Sequence, residues 1–138
     1  MGTSATIKFI TVNSKGVKVY IVIYQQYDGG PENLGANLVK FVKSKSMVNG
    51  YTYSERDKQF NGFGCMIAQY IASIKDGAGN VYVAPIDRKQ NALYNYVLSY
   101  NEDDKIFTIG CDAIKDGQMI PIDKFEEAVD ELYESLDN

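Results

Sequence analysis

Histidine and tryptophan are both absent from the 138 residues. Without histidine there is no His-based triad, no His general base and no zinc site that needs imidazole. Only two cysteines occur, Cys65 and Cys111, too few for a structural zinc site or a secreted disulfide framework. Arginine is equally scarce, at Arg56 and Arg88 alone. Arginine is the natural bidentate partner of phosphate, so both join the candidate list. No apolar run approaches the roughly 18 residues of a transmembrane helix, and no signal peptide is visible, so the expected location is the cytoplasm.

The composition that remains is that of a folded chain, 45% hydrophobic and 23% charged, in which one domain over 1–138 can bury a core without staples. The net charge of -4 argues against general DNA or RNA binding. Its distribution is uneven. Residues 1–101 carry 11 Lys/Arg against 6 Asp/Glu, whereas 102–138 carry 3 against 12. The acidic segment reads as a solvated helix face plus a turn. The functional alternative is that the first part holds an anionic ligand or partner. The opening Met1-Gly2-Thr3-Ser4-Ala5-Thr6 fits a myristoylation pattern. One acyl chain anchors poorly, however, and no second membrane signal is near. Residues 1–4 are read instead as a disordered start, and no membrane partner is expected.

Thr6 to Val12 and Val17 to Tyr24 are β-branched and apolar around the turn Asn13-Ser14-Lys15-Gly16. They predict a hairpin whose second strand is central and buried on both faces. Gly30-Pro31-Glu32 opens a helix that runs to about Ser44. Residues 46–60 read as a loop or short helical turn. A second helix begins near Asn61-Gly62-Phe63-Gly64, buries Ile67, Tyr70, Ile71 and Ile74, and ends at Gly77. Val81 to Ile86 is a strand that Pro85 ends or places at an edge. The alternation from Tyr94 to Asn101 predicts a half-buried antiparallel strand. Ile106 to Cys111 follows, and Asp116-Gly117 turns toward Gln118 to Ile120. A last helix spans Lys124 to Leu136, with Asp123 as cap and Glu126 at the capping-box position. The expected fold is α+β, a single domain with a mostly antiparallel sheet of 5-6 strands and about three helices on one face.

Chemistry is sparse. Cys65 sits by a helix N-terminus but has no histidine to activate it, and a small buried role is the simpler reading. Asp28 and Glu32 flank a helix start, where dipole physics already favours carboxylates. The turn Glu102-Asp103-Asp104 lacks calcium-loop spacing. No catalytic residue, metal or cofactor is expected. Asp28-Gly29-Gly30-Pro31 and Asn61-Gly62-Phe63-Gly64 open helices and offer backbone N–H groups to an anion, although neither is a nucleotide fingerprint. Eleven tyrosines suit half-buried strands, and also purine stacking and subunit interfaces. Tyr82 precedes the loop Asp87 to Asn91, where Asn91 has an amide suited to an adenine edge. Arg88 or Arg56 would hold phosphate. The candidate ligand-binding set is Arg56, Tyr82, Arg88, Asn91, Asp28 and Asn61.

Three stretches carry a resemblance: Tyr24-Gln25-Gln26-Tyr27-Asp28-Gly29-Gly30-Pro31-Glu32-Asn33-Leu34-Gly35, then Asn61-Gly62-Phe63-Gly64-Cys65, then Val81-Tyr82-Val83-Ala84-Pro85 with Tyr94-Asn95-Tyr96-Val97. Together they resemble a phage and prophage family related to the first-described Thoeris anti-defence proteins. The resemblance implies a non-enzymatic sponge in the cytoplasm of an infected bacterium. Such a protein sequesters cyclic ADP-ribose isomers made by TIR enzymes, and in some members cyclic oligonucleotides, at sites between subunits of a homo-oligomer. By type and order, Tyr82, Asn91 and Arg56 look similar to the family's ligand residues. Departures are Gln25 or Gln26 where relatives carry arginine, Gly30 for an aromatic, a loop after Pro85 without the usual Pro/Gly-rich sequence, and no arginine beyond Tyr100. The alternative is a phage inhibitor that binds a host protein through its acidic face at 102–138.

Overall fold

The computed structural model describes residues 2–137. Strand β1 (Ala5–Asn13) turns at Asn13–Gly16 into β2 (Gly16–Gln25). A π-type turn, Pro31–Gly35, leads into α1 (Ala36–Lys43). Next come β3 (Ser46–Val48), a 3-10 turn (Tyr53–Lys58), β4 (Gln59–Asn61) and α2 (Phe63–Ile74). The chain closes with β5 (Val81–Ala84), β6 (Tyr94–Asn101), β7 (Ile106–Cys111), β8 (Ile120–Pro121) and α3 (Ile122–Asp137). The main sheet has six strands in the order β5-β2-β1-β6-β7-β8. It is mixed and mostly antiparallel, as the α+β reading expected.

The centre of the sheet is β1, not β2. Ala5, Ile7 and Phe9 of β1 are wholly buried, while β2 lies second from the edge with its first three residues exposed. An unbroken β-branched run reports strand propensity but not which neighbour covers it. The second correction concerns β6. It is antiparallel to β7, but it runs parallel to β1, from Ala5 opposite Tyr94 to Val12 opposite Asn101. A period of two is common to both kinds of pairing, so alternation cannot tell them apart.

Register puts Ile7 beside Tyr96 and Phe9 beside Leu98 on one face of the sheet, and all three helices pack there. Phe63 and Tyr70 of α2 each lie 6.2 Å from the Phe9 ring, and Phe41 of α1 meets Tyr70 at 5.4 Å. Phe125 of α3 closes over Gly35 beside Tyr96. Edge-on ring pairs of this kind add about 0.5–1.5 kcal/mol each beyond their buried area. Among the described residues the opposite face carries no α-helix. The loop 85–93 crosses it at one end, with the Gln90 amide donating to the Tyr96 carbonyl at 2.8 Å. Met119 crosses it over Gly110.

Smaller departures have local causes. Residues 46–60 hold a parallel two-stranded pair, β3 with β4, around the 3-10 turn. Asp123 sits in the first turn of α3 and pairs with Lys43 at 3.0 Å. It does not cap the helix, because α3 begins directly from β8 at Ile122. Helix α2 stops at Ile74, three residues before Gly77. Of the expected disordered start, Met1 lies outside the described residues. Thr3 and Ser4 accept backbone bonds from Gly29 at 2.9 Å and Tyr94 at 3.1 Å. Among the described residues no helix is long and apolar enough to cross a membrane.

Candidate functional site

The six candidate residues fall in three places. The first lies on the helix-free face. Tyr24 of β2 and Tyr82 of β5 are register partners, with ring centroids 6.1 Å apart at 43°. The Arg88 guanidinium stands 4.6 Å over the Tyr24 ring. A tight turn positions it, the Arg88 N–H donating to the Pro85 carbonyl at 3.0 Å. The Arg88 Nε is buried and has no hydrogen-bond partner among the described residues. The Lys75 ammonium lies 5.7 Å from the Tyr82 centroid. Asn91 is exposed in the same 85–93 loop. The neighbouring Ala92 is pinned through its N–H to the Asn95 amide oxygen at 3.1 Å.

The second place is a cleft of about 290 Å³ at the start of α2. It is lined by Tyr51, Arg56, Asp57, Gln59, Asn61, Cys65 and Gln69. Arg56 projects from the 3-10 turn, donates to the Tyr53 carbonyl at 3.3 Å and stacks 4.1 Å over the Tyr53 ring. Two side-chain amides shape the rim. Asn61 Oδ1 accepts from the Gly50 N–H at 2.8 Å, and Gln59 Oε1 accepts from the Thr52 N–H at 3.0 Å. Gly62, φ 91°, leads into the helix as its N-cap residue and makes no side-chain cap, so the first N–H groups are not occupied by a capping side chain. Cys65 is exposed here rather than buried, and its thiol donates to Gln69 Oε1 at 3.2 Å.

Asp28 belongs to neither place. It takes a left-handed backbone, φ 56°, in the turn before Pro31. Glu32 does not face it as an acid–base partner would; its carboxylate accepts a hydrogen bond from the Tyr133 hydroxyl of α3. The acidic turn is likewise structural, with Asp103 accepting from the Ser14 N–H at 2.7 Å and Glu102 from the Asn13 amide at 3.0 Å. Around Glu32 lies a small group of weak acids. Burial pushes the Cys111 thiol up to about 11 and raises Tyr96 and Tyr133 further above the ordinary phenol range. These groups stay protonated and inert at neutral pH.

Tyr24, Tyr51, Tyr53 and Gln69 were not in the candidate set that the sequence supplied. Tyr24 needed the β2–β5 register, and Tyr53 needed the 3-10 turn that folds Arg56 back. Comparison of the chain with family models, with curated proteins and with solved structures finds no match.

Proposed function

We propose that this protein binds an anionic cyclic nucleotide and sequesters it without turnover, in the manner of the anti-defence sponges that its motifs resemble. One observation carries the reading. Both arginines of the chain are stacked on tyrosine rings, Arg56 on Tyr53 and Arg88 on Tyr24. Among the described residues neither has a carboxylate within ion-pair distance. A guanidinium held over a ring and unneutralised by an acid is ready for phosphate, and the rings offer a base a stacking surface.

The two arginine–tyrosine pairs flank opposite ends of α2, whose 12 residues span about 18 Å. A small ligand touching both kinds of pair is therefore held between two copies of the chain, with Tyr82, Arg88 and Asn91 from one and Arg56 with Asn61 from the other. The 290 Å³ cleft of a single copy is at the small end for a nucleotide site, which favours the same arrangement.

Calorimetric titration with cyclic ADP-ribose isomers and cyclic di- and trinucleotides, followed by mass analysis of released ligand, tests the reading. Tight binding with intact release supports it; absence of heat with the whole panel, or recovery of a cleaved ligand, overturns it. A second reading, inhibition of a host protein, is favoured by the acidic face of α3. There Asp123, Glu126, Glu127, Asp130, Glu131 and Glu134 share one surface. Salt-sensitive binding of a host protein with no nucleotide response would select it.

A further inference from the structure

The main sheet ends in two unlike edges. β8 is two residues long and one of them is Pro121, so that edge is blunted. β5 is Val81-Tyr82-Val83-Ala84, with no charged residue in the strand. Val83 is 62% exposed, and Ile86 just beyond it is 55% exposed. An apolar edge of this kind, neither charged nor covered, is an open template for another strand.

The hydrogen-bond ladder says which backbone groups are open. The Gln26 N–H donates to the Asn80 carbonyl at 2.8 Å, two residues before Tyr82 opposite Tyr24. Bonding pairs alternate along an antiparallel ladder, so Tyr82 and Ala84 face β2 while Val81 and Val83 point their N–H and C=O outward. The Val81 N–H is turned back onto the Gly79 carbonyl at 2.7 Å, and Pro85 has no N–H. Val83 is thus the one residue of β5 that presents both a donor and an acceptor at the edge. A residue with both groups open is complementary to itself across a two-fold axis, N–H to C=O twice.

We infer that β5 pairs antiparallel with β5 of a second copy, Val83 opposite Val83, joining two six-stranded sheets into one. Charge selects a second copy over a foreign strand. In this pairing the turn after β5 in one copy meets the turn before β5 in the other. The first turn carries Asp87, which is exposed. The second holds the Lys75 ammonium, fixed by its bond to the Gly79 carbonyl. Neither Asp87 nor Lys75 has an ion-pair partner within its own chain among the described residues, and the two-fold axis supplies each with the other, twice. The contact rests on the association of two copies invoked above but not on the ligand.

Light scattering of the full chain without ligand tests it. The expected mass is twice the 15.4 kDa of one chain. Val83→Pro removes only an outward N–H, so circular dichroism stays unchanged while self-association weakens by about tenfold or more. Val83→Lys, which places charge on the edge, gives the same loss without touching the backbone. Asp87→Lys and Lys75→Glu each weaken the dimer, and the double exchange restores it. A dimer indifferent to both Val83 variants overturns the edge pairing and leaves a two-copy ligand site standing. A wild-type mass of 15.4 kDa at every concentration overturns both.

Discussion

The hydroxyl of Tyr96 donates to the backbone carbonyl of Gly29 at 2.6 Å, across 67 positions of sequence and in the buried core. This bond ties the turn before Pro31 to the middle of the sheet. Tyr96→Phe removes the donor and leaves a buried carbonyl without its partner, which destabilises the fold by about 1–2 kcal/mol. Urea unfolding should show a lower midpoint with an unchanged slope. A midpoint equal to wild type would show that water replaces the phenol at no cost.

Gly35 is required by its neighbour in α3. A Cβ built there lies 2.6 Å from Cε2 of Phe125, a ring that is 1% exposed and has little room to move. Gly35→Ala is expected to cost about 1–3 kcal/mol. Gly64, in the first turn of α2, is the control, since its nearest contact is 3.9 Å away. Gly64→Ala should be neutral or stabilising by up to about 1 kcal/mol. Thermal unfolding of the pair separates steric crowding from helix propensity.

The two thiols should differ in reactivity. Cys65 is exposed and Cys111 is buried, with its pKa pushed up to about 11. A thiol reagent at pH 8 labels one cysteine quickly and the second only after denaturant is added. The same burial sets an alkaline limit. The unfolded Cys111 loses its proton at a lower pH than the folded one, so its contribution is intact below pH 9 and declines between about 9 and 11. Tyr70 and Tyr96, raised by burial in the same sense, extend the loss above pH 10. Stability that rose over this range would contradict the assignment.

Arg56→Ala and Tyr82→Ala probe the proposed ligand contacts. Both side chains are exposed, so circular dichroism and unfolding midpoints should remain those of wild type. Each substitution is expected to weaken nucleotide binding by about 1–3 kcal/mol. Mixing the two variants should recover some composite sites if each copy supplies one residue, which titration of the mixture would detect. Normal binding by both variants would remove these residues from the site.

The elements were legible wherever composition was locally decisive. β-branched runs gave β1 and β2, the i, i+3, i+4 stripe gave α2, and Pro85 marked the end of β5. Partners were less visible. Nothing in Tyr94 to Asn101 states that its neighbour is the first strand and lies parallel to it, because that pairing is decided by how 68 intervening residues between β2 and β6 fold over the sheet. The β3–β4 pair was missed for a similar reason: three residues on each side are too few to show a period. Among the site candidates, residue type singled out Arg56 and Arg88, but the tyrosines beneath them depended on register and on a 3-10 turn. Asp28 was singled out by its glycine-rich surroundings, which serve a backbone turn.

The parallel pairing of β1 with β6 also governs how the chain reaches its fold. Ala5 and Tyr94 are 89 positions apart, so the centre of the sheet closes only after most of the chain is available. During synthesis the β1–β2 hairpin emerges before β6, with the wholly buried Ile7 and Phe9 still uncovered and one flank of β1 unpaired. Long-range pairing of this kind folds slowly and leaves apolar strands open to misassociation. The interval before the sixth strand arrives is therefore when this chain is most open to misassociation, whatever the stability of the finished sheet.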